Sequence, residues 1–142
     1  MMPTHSVPPS TNAHFRLAVR VYWEDTDAGG VVFYANYLKF FERARTEWLR
    51  AAGISQHELR ERSGAIFIVS DTALRYLRPA RLDDLLDITV TVVEHRPASL
   101  RLAQQAWCGD TLLCEGDIRI GCVDGGTFRP RRIPIEIPHG PP

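Results

Sequence analysis

The stretch that decides the organisation of the chain is Trp23-Glu-Asp-Thr-Asp27-Ala-Gly-Gly30-Val-Val-Phe-Tyr34-Ala-Asn36-Tyr37. It is an acidic turn with two adjacent glycines, and it leads into the longest helical pattern in the sequence. Glycine accepts positive φ angles and the close approach of other groups, so the segment is predicted to turn sharply. A carboxylate beside a helix N-terminus places a base next to free backbone N–H groups, and this arrangement suits attack on a carbonyl carbon.

The pattern after the turn predicts an amphipathic helix that forms the centre of the core. Asn36 is a predicted N-cap, and Gly53 lies where a C-terminal glycine belongs. Charged residues fall largely on the opposite face from the apolar ones. The apolar residues that follow i, i+3, i+4 spacing are Tyr37, Phe40, Phe41, Ala44, Trp48 and Ala52.

Three interpretations of the acidic turn compete. Its carboxylates are capping groups of a solvated turn, ligands of calcium, or a catalytic base. The calcium interpretation fails because Gly29 occupies the fifth position of the loop and Asn36 the twelfth, where a bidentate Glu is required. Residue spacing alone does not choose between the other two.

The composition of the chain argues against several classes of function. The chain has 142 residues, enough for one ordinary domain, and 17 basic residues balance 17 acidic ones. This balance argues against a nucleic-acid partner. The five histidines are scattered, so no metal site is predicted. No signal peptide or membrane span is recognisable, and a cytoplasmic location is expected.

The three cysteines form no C-x-x-C motif. Cys108, Cys114 and Cys122 are predicted to be free, partly buried thiols of a reducing compartment. A cysteine nucleophile is the alternative, but no histidine is close to these residues in sequence.

Periodicity along the chain predicts an α+β domain over residues 15–137. Residues 1–14 are rich in Pro, Ser and Thr and are predicted to form a disordered tail, and residues 138–142 a C-terminal tail. Strands are predicted over 15–23, 65–77 with a bend near Ser70, 86–94, 98–107 and 111–123. A short helix begins with the capping box at Ser55, and the proline-broken segment 128–137 is an edge strand or extended tail. One helix and about five strands suggest an antiparallel sheet wrapped around the helix.

Three segments resemble a known family. The segment from Asp25 to Tyr37, the run Phe41-Glu-Arg-Ala-Arg-Thr-Glu-Trp-Leu-Arg50 and the run Tyr76-Leu-Arg-Pro-Ala-Arg-Leu-Asp-Asp84 are similar to the Tol–Pal-associated acyl-CoA thioesterases. That family belongs to the 4-hydroxybenzoyl-CoA thioesterase branch of the hotdog fold. The resemblance covers about Phe15 to Val123 and implies hydrolysis of an acyl-CoA to free acid and CoA, without metal or cofactor.

The resemblance assigns roles by position. Asp27 is the implied catalytic carboxylate, as a general base or as a nucleophile, and the backbone N–H of Tyr34 at the helix start polarises the thioester carbonyl. Many close members of the family have His where this chain has Tyr34. A backbone role survives this difference because any residue except proline supplies an N–H.

The resemblance also implies where substrate binds. Gly30 in the turn is a candidate substrate contact, and Phe33, Phe67 and Val69 are candidates for contact with the acyl group, with simple core packing as the alternative. Arg96 and Ser99 form the preferred pair for CoA, since the turn into that strand contacts CoA in relatives. Arginines suit phosphates. The further candidates are Arg75, Arg78, Arg81 and Arg101.

The resemblance further implies a homodimer with a shared sheet, or a homotetramer, with active sites at the dimer interface. The alternative function is a non-catalytic hotdog module that binds acyl carrier protein or a cell-envelope partner, but such a module would not need a carboxylate at position 27. Hydratase or dehydratase chemistry would require a histidine paired with a carboxylate, and the turn and main helix contain no histidine.

Overall fold

The computed structural model describes residues 13–138, which form one antiparallel sheet around a central helix. Residues 1–12 of the predicted N-terminal tail, 1–14, and residues 139–142 of the predicted C-terminal tail, 138–142, lie outside the described residues. The strand order is β1-β3-β4-β5-β2. The strands are β1 Phe15–Arg20, β2 Ala65–Tyr76, β3 Leu85–Arg96, β4 Ser99–Cys108 and β5 Thr111–Asp124. The predicted α+β class and the five strands are confirmed.

The main helix, α1, spans Tyr37–Ala51 and is preceded by a 3₁₀ turn over Tyr34–Asn36. Its buried residues follow the predicted stripe, except that Leu49 is buried and Ala52 is exposed. Gly53 has φ 83° and ends the helix in the left-handed conformation, as predicted. Asn36 precedes α1 but its side chain does not cap it.

A second helix, α2 over Gln56–Ser63, returns the chain to the sheet. The Ser55 side chain accepts a hydrogen bond from the N–H of Glu58 at 3.3 Å, as the predicted capping box requires. Gly64 ends the helix with φ 79°. Neither α-helix in the described part of the chain has the length and apolarity of a membrane-spanning segment.

Strand β2 lies at the edge of the sheet, where it pairs with β5 alone. The pairing register shifts between Val69 and Asp71, so the predicted bend near Ser70 is a β-bulge. The six residues from Ile68 to Ala73 are all exposed. A twelve-residue edge strand with exposed Ile68 and Val69 is a surface on which another strand can pair.

Segments at both ends of the described chain dock on the sheet. The Nδ1 atom of His14 accepts a hydrogen bond from the N–H of Val92 at 3.0 Å. At the other end, the segment after β5 is extended as predicted, and the N–H of Ile133 donates to the carbonyl of Pro97. Ile133 and Ile137 are buried, so this segment covers part of the core.

One polar side chain connects α1 to the sheet from inside the core. Gln104 on β4 is fully buried; its amide nitrogen donates to the carbonyl of Phe41 at 3.0 Å and to that of Thr89 at 3.3 Å. Its amide oxygen accepts from the Arg45 guanidinium at 3.0 Å. A buried polar group is tolerable only when its hydrogen bonds are made, and those of Gln104 also satisfy Arg45 and Phe41.

Gln104→Leu is expected to lower the free energy of unfolding by roughly 2–3 kcal/mol, because it leaves the half-buried Arg45 and the carbonyl of Phe41 without their partner. Gln104→Glu is the second variant: it keeps an acceptor for Arg45 but turns a carboxylate oxygen toward the carbonyls of Phe41 and Thr89, so it is also expected to be destabilising. Urea unfolding monitored by circular dichroism measures both variants. An unchanged midpoint for Gln104→Leu would contradict this account of the core.

Candidate active site

The acidic turn folds back on itself as a narrow hairpin. The N–H of Phe33 donates to the carbonyl of Asp25 at 2.9 Å, and the N–H of Asp27 donates to the carbonyl of Val31 at 2.9 Å. The N–H of Gly30 closes the tip by donating to the carbonyl of Asp27 at 3.0 Å. Asp27 therefore lies at the tip and Phe33 at the base, where the chain enters α1.

The two glycines of the turn serve different purposes. Gly30 has φ 79°, a conformation that glycine adopts without strain. Gly29 brings its N–H within 2.8 Å of Oδ1 of Asp27, and a Cβ atom at this position would lie only 3.2 Å from the same oxygen. Gly29 therefore allows the Asp27 carboxylate to lie against the backbone.

The two carboxylates of the turn have opposite environments. Asp25 is 5% exposed, and its carboxylate accepts hydrogen bonds from the N–H of Tyr22 and from the side-chain amide of Asn36, both at 2.8 Å. Asp27 is exposed, and among residues 13–138 its Oδ2 atom accepts no hydrogen bond. Asp25 thus holds the turn against the helix start, whereas Asp27 presents a carboxylate oxygen to solvent.

Tyr34 marks the start of the helical segment, as the sequence predicted. The side chain is 63% exposed, and its own carbonyl accepts a hydrogen bond from the Tyr76 hydroxyl at 2.9 Å. Within the described chain, neither the N–H of Tyr34 nor that of Ala35 donates to a backbone carbonyl of the surrounding turn. The first amides of the 3₁₀ turn are therefore available to an acceptor outside the backbone.

Aromatic rings surround the helix start. The ring centroids of Phe33 and Tyr34 are 4.8 Å apart, and Tyr76 lies 6.3 Å from Tyr34 and 5.7 Å from Tyr37. Burial raises the pKa of Tyr37 to about 12 and also raises the pKa of Tyr76. Both phenols are therefore protonated at neutral pH and act as hydrogen-bond donors rather than bases.

The other predicted substrate contacts lie at the far end of the sheet within one subunit. Tyr76 lies seven positions after Val69 on β2, roughly 23 Å along the strand. Ser99 pairs with Gly121 and Gly121 with Ile68, so the turn that carries Arg96 and Ser99 lies at the Val69 end. A single chain therefore brings Asp27, Gly30, Phe33 and Tyr34 together, but not Val69, Arg96 or Ser99.

A cavity of about 190 Å³ opens between α1 and β2 at this far end. Phe67 and Val69, the two strand residues considered for acyl contact, line it together with Trp48 and Leu49 from the helix. Polar groups from Glu42, Arg45 and Thr46 form one side.

The predicted arginines differ in their availability. Arg75, Arg96 and Arg101 form ion pairs with Glu115, Glu94 and Asp117, respectively. Arg81 forms an isolated bridge with Val31 and so lies beside the acidic turn. Within residues 13–138, Arg81 forms no ion pair. Backbone pairing with Val31 therefore holds one candidate arginine, Arg81, next to the acidic turn.

Cysteine and metal chemistry have no support in the described chain. Burial raises the pKa of Cys114 to about 12, and also raises that of Cys108 and Cys122. These thiols are therefore poor nucleophiles at neutral pH. Residues 13–138 contain no cluster of three side chains that could hold a metal ion.

Sequence reasoning missed two residues that build the site. Asn36 was read as a helix cap, but it donates to Asp25; Tyr76 was read only as part of a motif, but it anchors the Tyr34 carbonyl. An amide that directly precedes the helix and follows an acidic turn is the signal that identifies Asn36. No local signal pairs Tyr76 with Tyr34, because 42 residues separate them.

Asp25→Asn is expected to destabilise the fold by about 1–3 kcal/mol, since an amide would turn a donor toward the donors of Tyr22 or Asn36. Asp27→Asn is the matched control and is expected to change the melting temperature little, because its carboxylate is exposed. Thermal unfolding measures both variants. Equal loss of stability in the two variants would contradict the structural role of Asp25.

Comparison with known proteins gives a consistent result. The family described as the thioesterase-like superfamily matches residues 21–139. The acyl-CoA thioesterase YbgC of Haemophilus influenzae is 42% identical over 123 residues, covering 87% of this chain and 90% of that protein. The acyl-CoA thioester hydrolase YbgC of Escherichia coli O6:H1 is 45% identical over 124 residues, covering 87% and 92%.

Solved structures agree with the sequence comparison. A probable thioesterase from Bartonella henselae superimposes with a TM-score of 0.79 at 34% identity, covering 84% of this chain and 98% of that one. The sheet wrapped around α1 is therefore a hotdog fold. The chain belongs to the thioesterase-like superfamily and, within it, to the Tol–Pal-associated acyl-CoA thioesterase family.

Proposed function

We propose that the chain hydrolyses acyl-CoA thioesters to a free acid and CoA, with Asp27 as the reacting carboxylate. The observation that supports this most directly is the contrast between the two carboxylates of the turn. Asp25 is buried and accepts two hydrogen bonds, whereas Asp27 is exposed at the tip of the hairpin that leads into the helix. The names of the relatives, acyl-CoA thioesterase and acyl-CoA thioester hydrolase, give the same class of substrate.

Two routes start from Asp27. As a base, it takes a proton from water while the water oxygen attacks the thioester carbon; the C–S bond then breaks, and the thiolate of CoA recovers the proton. As a nucleophile, the carboxylate attacks the same carbon and forms a mixed anhydride with loss of the thiolate, and water then opens the anhydride. Both routes pass through a tetrahedral oxyanion.

The start of the helical segment supplies the charge stabilisation. The N–H of Tyr34 points its partial positive charge at the thioester oxygen, and the dipole of the helical segment adds to it. The hydrogen bond from Tyr76 to the Tyr34 carbonyl fixes the orientation of the peptide group that follows the donor. The Tyr34 phenol itself has no role in this account.

The complete site requires two subunits. Edge strand β2 is exposed along its central residues, so two copies can pair antiparallel about a two-fold axis through the strand centre. Such pairing sets Phe67 of one β2 opposite Leu74 of the other, and the Ala65 end of one strand opposite the Tyr76 end of the other. The partner subunit's cavity, with its Phe67 and Val69 counterparts, then meets the turn that carries Asp27, Gly30 and Phe33.

CoA is proposed to lie across the same junction. The partner's β3–β4 turn brings the counterparts of Arg96 and Ser99 to the site, and Arg81 contributes from the subunit that holds Asp27. Guanidinium groups bind phosphate by paired hydrogen bonds. To bind the pyrophosphate or the 3′-phosphate of CoA, Arg96 would give up its exposed ion pair with Glu94. This costs little, because exposed ion pairs contribute little free energy.

Asp27→Asn is expected to reduce turnover of an acyl-CoA by roughly a hundred- to ten-thousand-fold, because a general base alone contributes that much. Tyr34→Phe is the control for the neighbouring phenol and is expected to retain most activity, since the backbone N–H is unchanged. Steady-state release of free thiol, measured over short, long and aromatic acyl groups, tests both variants. Full activity of Asp27→Asn in a folded protein would refute the mechanism.

Mixing two inactive variants is expected to restore activity if the site is shared. Asp27→Asn subunits and Arg96→Glu subunits are unfolded together and refolded, so that heterodimers carry one intact site and recover about a quarter of the wild-type rate at low substrate concentration. The control places both substitutions in one chain and mixes it with wild type, which yields heterodimers with no intact site. Light scattering should show a dimer or larger assembly. A monomer that turns over substrate, or no recovery on mixing, would contradict the shared site.

A further inference from the structure

The end of α2 and the turn after β5 form a strongly basic surface in a chain whose charges balance overall. Residues 60–64 and 124–132 contain five arginines and two acidic residues. We refer to Arg60, Arg62, Phe128, Arg129 and Arg132 as the basic turn surface. All five side chains are exposed. Within residues 13–138, none of its arginines forms an ion pair.

The turn that carries Phe128 is rigidly built. The N–H of Phe128 donates to the carbonyl of Asp124 at 2.8 Å, and the N–H of Asp124 donates to the carbonyl of Arg129 at 2.9 Å. The Asp124 carboxylate accepts from the N–H groups of Gly126 and Thr127 at 3.0 and 2.9 Å. The Asp124 carboxylate therefore makes its hydrogen bonds within the turn, and of the neighbouring arginines Arg131 contributes to lowering its pKa.

Phe128 is an unusual residue for the tip of this turn. Its φ angle is 59°, in the left-handed region that a bulky residue enters only at a cost in energy, and its side chain is 64% exposed. Glycine or asparagine would fit the same backbone better. A strained, exposed aromatic ring in a fixed turn indicates selection for what the ring contacts rather than for the stability of the turn.

The turn is attached directly to the end of α2. The N–H of Gly125 donates to the carbonyl of Gly64 at 2.7 Å, and the Arg131 guanidinium donates to the carbonyl of Ser63 at 2.6 Å. A Cβ atom on Gly125 would lie 3.5 Å from Nε of Arg60. The arginines of the helix and those of the turn therefore belong to one surface.

We propose that the basic turn surface binds the surface of an anionic lipid bilayer, with Phe128 in the interfacial layer and the arginines on lipid phosphates. Aromatic rings favour this layer, and arginine pairs with phosphate oxygens. Cationic side chains near an anionic membrane strengthen binding in a manner that salt screens. An exposed ring at the tip of a turn can enter a deformable lipid layer, whereas a folded protein partner would need a matching pocket.

The association is reversible and peripheral. One ring and a few arginines provide much less binding free energy than a spanning helix. The surface uses neither Asp27 nor Tyr34, so the inference does not depend on the proposed hydrolysis.

Binding of the full-length chain to vesicles tests the proposal. The vesicles contain phosphatidylcholine alone or phosphatidylcholine with about one-third phosphatidylglycerol, and bound protein is measured by flotation at low and high salt. Wild type is expected to bind the anionic vesicles at least tenfold better than the neutral ones, and high salt is expected to abolish the difference.

Variants of Phe128 measure what the aromatic ring contributes to binding, separately from the arginines. Phe128→Gly is expected to lower anionic-vesicle binding several-fold while it maintains or raises the melting temperature, and Phe128→Trp is expected to retain binding. Trp23→Ala removes an exposed ring elsewhere, next to Glu24, and is expected to have no effect on binding.

The charge test compares two pairs of arginines. Arg129→Gln with Arg132→Gln is expected to reduce binding about tenfold or more. The control pair, Arg16→Gln with Arg50→Gln, removes the same charge from arginines that are ion-paired with Asp87 and Glu47 and is expected to have little effect.

Three outcomes would overturn the proposal. The first is equal binding of wild type to neutral and anionic vesicles, and the second is an equal loss of binding in the control pair and in the Arg129 and Arg132 pair. The third is retention of wild type on immobilised polyglutamate without binding to anionic vesicles, which would assign the surface to an acidic polypeptide instead.

Discussion

The hydrogen bonds of the buried Asp25 carboxylate are the constraint on which the site depends. One carboxylate oxygen binds the side-chain amide of Asn36 and the other binds the N–H of Tyr22, so the end of the first strand segment and the start of the helix are fixed to each other. The base of the hairpin is therefore fixed by Asp25, while Asp27 is exposed at its tip.

Much of the fold could be predicted because the apolar periodicity, caps and turn residues of the sequence indicate the same helices and strands that the folded sheet contains. The apolar stripe of α1, the N-cap at Ser55 and the left-handed Gly53 and Gly64 all appear where periodicity and turn chemistry place them. Two local features differ from their predictions: the first strand ends at Arg20 rather than at Trp23, and Asn36 does not cap the helix. Its side chain binds Asp25 because a buried carboxylate needs a partner more than the helix end does.

The site was predictable only in its local part. Asp27, Gly30, Phe33 and Tyr34 are close in sequence, so the turn itself brings them together. Val69, Arg96 and Ser99 came from the family resemblance, and within one subunit they lie at the opposite end of the sheet. A local pattern in one chain cannot show which residues meet across the two-fold axis that we propose, and the contact between Tyr34 and Tyr76 has no local pattern either.

The order of strands in the sheet has a consequence for how the molecule reaches its native state. Strand β2 follows the helices in sequence, yet its only partner in the sheet is β5, and β3 and β4 are synthesised in between. Formation of β3, β4 and β5 as consecutive hairpins can proceed locally, whereas β2 must wait for the last of them. On the ribosome, an apolar strand and one side of the central helix therefore stay uncovered until β5 has emerged. Capture of β2 by β5 is expected to be the late, slow step of folding, and the interval before it is when the chain is most exposed to aggregation and to chaperones.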